Sequence, residues 1–150
     1  MKEEIQKFKV SGKVFLWKYK DNQRNYPGWN LTVDKAASQN LVDLLDLMDS
    51  CEWSTKKTLT TEEPTQAQLN VPNNQRGQAG WKSAQQLTLN SRKLESDDFW
   101  TVIENNGDVE IQFWKGKLKK LRTAIAEIPL GKGDFAISDT KEENILYFWW

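Results

Sequence analysis

"FWTVIENNGDVEIQFW", residues 99–114, decides the fold class. Two runs rich in β-branched and aromatic residues flank Asn106-Gly107, the pair favoured in a two-residue hairpin turn because both central positions need positive φ. Alternation in the second run sets Val109, Ile111 and Phe113 on one face and Glu110, Gln112 and Trp114 on the other. Immediately afterwards the period changes. In "GKLKKLRTAIAEIP" (116–129) Leu118, Leu121, Ile125 and Ile128 recur at helical spacing, and Pro129 and Gly131 end the pattern. A tight hairpin feeding an amphipathic helix belongs to an α+β fold rather than to βαβ alternation.

The same grammar extends in both directions. Upstream, "DKAASQNLVDLLDLMDS" (34–50) opens on Asp34, a good N-cap, and carries an apolar stripe at Ala37, Leu41, Leu44, Leu45 and Met48. "FKVSGKVFLWKYK" (8–20), "WNLTV" (29–33), "CEWSTKKTLTT" (51–61) and "SAQQLTLN" (83–90) read as strands. In the first, Phe15, Trp17 and Tyr19 point one way and Val14 and Leu16 the other; in the third, Trp53, Thr55, Lys57 and Leu59 share a face. "DNQRNYPG" (21–28) is a turn. Downstream, "GKGDFAIS" (131–138) leads through a charged turn to "ILYFWW" (145–150). That run is strand-length and apolar on both sides, so it is expected inside a sheet and covered on both faces. The stretch from Glu62 to about Lys82, with Pro64, Pro72, Gly77 and Gly80 among Gln and Asn residues, is the least regular part, with a short strand expected near "AQLNV". The expectation is one α+β domain over residues 1–150: a mostly antiparallel twisted sheet of about six to eight strands with two amphipathic helices on one face.

Composition removes several chemistries. The chain has 150 residues, enough for a core without covalent staples. Its 21 basic and 21 acidic residues leave no net field to gather nucleic acid, and no segment reads as a membrane span or signal peptide. With no histidine, imidazole-based triads and the usual zinc and haem ligand sets are out. With one cysteine, Cys51, no intrachain disulfide forms, and a cytoplasmic location is expected. "GKGD" (131–134) follows a helix and precedes a strand, the reverse of a phosphate cradle. Asp43, Asp46 and Asp49 read as a solvated helix side, and Lys115, Lys119 and Arg122 as a basic face open to an acidic partner. Neither a cofactor nor a metal site is expected.

The eight tryptophans are the chief functional signal, because indole rings favour interfaces and stacking sites. If the helices cover the face marked by Val14, Leu16, Val109, Ile111, Phe113, Phe135 and Ile137, the opposite face gathers Trp17, Tyr19, Trp100 and Trp114, with Tyr147 and Trp149 beside them. Arg76 and Trp81 of the 62–82 segment border it. These eight residues form the candidate binding surface. The competing and preferred reading of that face is a second small core closed by the 62–82 segment, since large exposed apolar faces aggregate.

The run "LKKLRTAIAEIPLGKGDFAI…ILYFWW" resembles a group of small bacterial proteins with no assigned activity, in which an amphipathic helix leads to Gly-x-Gly-Asp-aromatic and a closing Leu/Tyr-Phe-Trp strand. The resemblance spans about a third of the chain and implies a bacterial origin and a single α+β domain. The leading functional expectation is a non-enzymatic binding module for a protein partner, immunity-like in size and composition, or self-associating. The alternative is a small-ligand or carbohydrate binder, or a hydrolase using carboxylates such as Glu104 and Asp134.

Overall fold

The computed structural model describes residues 2–20, 28–71, 80–132 and 135–150. Among the described residues, nine strands and four α-helices form an α+β fold: α1 (Lys2–Lys7), β1 (Val14–Tyr19), β2 (Trp29–Val33), α2 (Lys35–Ser50), β3 (Thr55–Thr60), α3 (Gln66–Asn70), β4 (Trp81–Ser83), β5 (Gln86–Ser91), β6 (Trp100–Asn105), β7 (Asp108–Phe113), α4 (Lys115–Glu127), β8 (Phe135–Ile137) and β9 (Leu146–Phe148). A 3₁₀ turn, Ile128–Leu130, closes α4, and Gly131 follows it with φ 74°.

The strands divide between two sheets, in the orders β4-β1-β2-β9-β8 and β3-β5-β7-β6. Most pairs are antiparallel, but β9 lies parallel to β2, and β7 parallel to β5. Of the 145–150 run, Leu146–Phe148 enter the first sheet between β2 and β8 and the Trp149 N–H extends the pairing to the Leu31 carbonyl, whereas Trp150 lies beyond the strand and is 52% exposed.

One core fills the space between the sheets and the two long helices. It takes Val14, Leu16, Leu31, Leu146 and Phe148 from the first sheet and Leu87, Leu89, Val109, Ile111 and Phe113 from the second. Leu41, Leu44, Leu45 and Met48 of α2 and Leu118, Leu121 and Ile125 of α4 complete it. The α2 stripe is buried because Asp34 starts the helix in the right phase: its Oδ1 accepts the Ala37 N–H at 2.8 Å. The two helices pack against each other, and Arg122 of α4 reaches Asp46 of α2 at 2.6 Å. That exposed pair occupies one cation of the expected basic face and adds little stability.

Two observations overturn local expectations. "AQLNV" is helical, not extended: α3 begins with a capping box in which Thr65 Oγ1 accepts the Gln68 N–H and Gln68 Oε1 accepts the Thr65 N–H. And β3 starts at Thr55, so Trp53 lies in a loop and not on a strand face.

The β8–β9 loop ties the sheets together through Asn144. Its carbonyl accepts the Trp100 indole N–H at 2.8 Å and its Oδ1 accepts the Val102 backbone N–H at 3.2 Å. Its own Nδ2 donates to Asp139 Oδ2 at 2.6 Å. This bond, helped by the Glu143 N–H, holds the Asp139 carboxyl below its ordinary value of 3.8. Replacing Asn144 with alanine is expected to destabilise the protein by about 1–3 kcal/mol in urea denaturation, because the Val102 N–H loses its acceptor. A folded-state value below the unfolded one means that Asp139 stabilises at pH above the ordinary carboxylate range, and that this contribution fades as pH falls through the folded value. The stability gap between wild type and Asn144→Ala should therefore shrink on acidification; a gap that widens contradicts the arrangement.

Candidate functional site

Of the eight residues singled out from the sequence, the seven that are described do not form one surface. On the first sheet, register sets Trp17 opposite Asn30, Asn30 opposite Tyr147, and Tyr19 opposite Trp81. Trp17, Tyr19, Tyr147, Trp149 and Trp81 thus come together on the side facing away from the main core, joined by Phe15, Leu69 and Val71. This face is closed rather than open. Trp17 is 0% exposed, Tyr19 and Trp149 are buried, and only Tyr147 and Trp81 are partly accessible. Leu69 of α3 supplies the lid, and Tyr19 Oη donates to its carbonyl at 2.7 Å. Asn30 sits fully buried beneath: its Oδ1 accepts the Trp149 indole N–H at 2.8 Å and its Nδ2 donates to the Trp17 carbonyl at 3.3 Å. The result is a second, aromatic core.

Trp100 and Trp114 are corrected. The Asn106-Gly107 turn has φ of 54° and 90° and pairs Asn105 with Asp108, which sets Trp100 opposite Phe113. Cross-strand partners share a face, so Trp100 joins the main core. Trp114 has left the strand; it occupies the N-cap position of α4 on the other sheet's side of the molecule. Arg76 lies outside the described residues. Of the two carboxylates considered for hydrolysis, Glu104 is bound through both oxygens by Lys82 Nζ at 3.0 and 2.8 Å, and Asp134 lies outside the described residues. Among the described residues, no group of three or more Cys, Asp or Glu side chains converges as a metal site, and no helix is long and apolar enough to cross a membrane.

A different surface presents apolar groups to water. Trp53 is 65% exposed and Leu94 is 96% exposed. They stand on separate loops, 51–54 after α2 and 92–99 between β5 and β6, which the Lys93 N–H joins by donating to Ser54 Oγ at 2.8 Å. The Lys93 side chain fastens two more elements. Its Nζ donates to the Asp49 carbonyl at the end of α2 at 2.8 Å, and it lies 4.4 Å from the centre of the Trp114 ring, a cation–π distance. Burial pushes the Lys93 ammonium below its ordinary value, with the charges of Asp49 and Cys51 acting in the opposite sense. The 92–99 loop is also anchored to α4, whose Gly116 N–H donates to the Asp97 carbonyl at 2.8 Å; a side chain at Gly116 would press on that carbonyl. A held pair of loops displaying Trp and Leu loses little entropy when a partner covers it.

Neither residue stands out on sequence alone as a contact. Alternation absorbs Trp53 into a strand that in fact begins two residues later. Leu94, in "SRKLESDD", is an isolated large apolar residue in a polar turn with no periodic partner, and that isolation is the available signal.

The fold and this surface together define an α+β protein with an aromatic second core and an apolar loop patch. No family model matches the chain, and no curated protein or solved structure is significantly similar to it.

Proposed function

We propose that this chain is a protein-binding module whose contact surface is the Trp53–Leu94 loop pair. The carrying observation is that a Trp and a Leu, large apolar residues that folding normally buries, stand in water on loops fixed by Lys93. Exposed indole rings on a pre-organised scaffold are the usual anchors of a protein interface. The aromatic layer around Trp17 supports the scaffold and makes no direct contact with a partner.

The test is a double substitution, Trp53→Ser with Leu94→Ser. Both side chains are exposed, so the melting transition should stay within about 0.5 kcal/mol of wild type. Chemical cross-linking in the native host should yield a defined adduct with wild type and lose it with the double variant. An adduct of equal yield with both proteins rules out this surface.

A further inference from the structure

The loop surface carries a charge asymmetry that selects its partner. Building on the protein-binding reading, we infer that the partner is a protein with a cationic contact surface, in which Lys or Arg side chains surround the apolar recess that receives Trp53 and Leu94. Four exposed carboxylates border the two anchors: Asp49 at the end of α2, Glu52 beside Trp53, and Asp97 and Asp98 after Leu94. None of the four makes an ion pair among the described residues. The cations of the same loops are already engaged. Arg92 binds Glu95 at 3.2 Å, and Lys93 is turned onto the Asp49 carbonyl and the Trp114 ring. The exposed lysines 115, 119 and 120 lie on α4 itself rather than on the two loops.

An apolar centre with an acidic rim, offset only in part by Lys93 near Asp49 and Lys117 near Asp98, has two consequences. Rim carboxylates accelerate encounter with a cationic surface and repel an acidic one, so they govern partner choice more than affinity per contact. Because these charges are exposed, their influence falls with ionic strength as the screening length shortens. Nucleic acid, a polyanion, is repelled by the same rim.

A library of displayed random 12-residue peptides is the probe. It is panned on the wild-type protein and counter-selected against Trp53→Ser/Leu94→Ser. Enriched peptides are expected to combine Lys or Arg with apolar residues. Their affinity, read by fluorescence anisotropy, should fall about tenfold with Glu52→Lys/Asp97→Lys and by a similar factor in high salt. Enriched peptides that are neutral or acidic, or indifferent to the charge reversal, overturn the cationic partner while leaving the docking surface in place. Enrichment that survives unchanged on the double serine variant overturns the docking surface itself, as does no enrichment at all. A dimer in sedimentation equilibrium that dissociates in the serine variant assigns the surface to a second copy of this chain and also overturns the cationic partner.

Discussion

Trp17→Ala is expected to lower stability by about 3–5 kcal/mol, among the largest losses a single side chain can produce here. The ring is fully buried between Phe15, Tyr19, Leu69 and Trp149, so truncation leaves a cavity that two strands and the short α3 helix cannot easily close. The position has a second property that sharpens the test. Among the described residues the Trp17 indole N–H has no hydrogen-bond partner. A buried unpaired donor is costly, so Trp17→Phe removes a penalty while retaining most of the ring volume. That substitution should cost less than about 1.5 kcal/mol. Urea denaturation of the two variants checks the pair of values; equal losses for Ala and Phe would falsify the packing account. Folded Trp17→Phe protein should also keep the cross-linked adduct of wild type, since the aromatic layer lies apart from the Trp53–Leu94 loops.

Gly12→Ala comes next, with an expected loss of about 1.5–4 kcal/mol from two additive causes. Gly12 has φ +82°, a conformation that costs an L side chain about 1–2 kcal/mol. The new methyl would also stand 2.3 Å from Asp34 Oδ1 and 2.5 Å from the Ala37 nitrogen, the two atoms of the α2 cap. Asp34 further accepts the Lys13 N–H through Oδ2 at 2.9 Å, so the cap and the turn before β1 are one structure. Loss of the cap adds about 0.5–2 kcal/mol. The mechanism predicts coupling: Gly12→Ala combined with Asp34→Ala should destabilise by less than the sum of the single changes, since the cap is lost once. Additivity of the two would show that the methyl acts elsewhere.

The legible residues are those governed by short-range rules. The α2 stripe, its Asp34 cap, the Asn106-Gly107 hairpin and the Pro129–Gly131 stop all stand where periodicity and turn chemistry put them. Two further features lie within reach of the same rules. Thr65-x-x-Gln68 is a capping-box pattern, and counting outward from a two-residue turn sets Trp100 beside Phe113. The aromatic candidates split because they belong to strands of different sheets, and strand alternation has no means of expressing that division.

Read alone, the chain specifies its α+β class, most helix and strand positions, the two faces of β1 and the interior place of Leu146–Phe148. Each follows from caps, turns and periods that act within about twenty residues. The grouping of strands into two sheets depends on partners as remote as Trp29 and Leu146, and the parallel pairing of β5 with β7 skips the strand between them in the sequence. Burial is equally non-local. Trp17 is dry because α3 covers its face, and Trp53 and Leu94 stay wet because no described segment covers theirs. Apolar residues of one kind thus divide into core and contact surface according to what the rest of the chain brings over them.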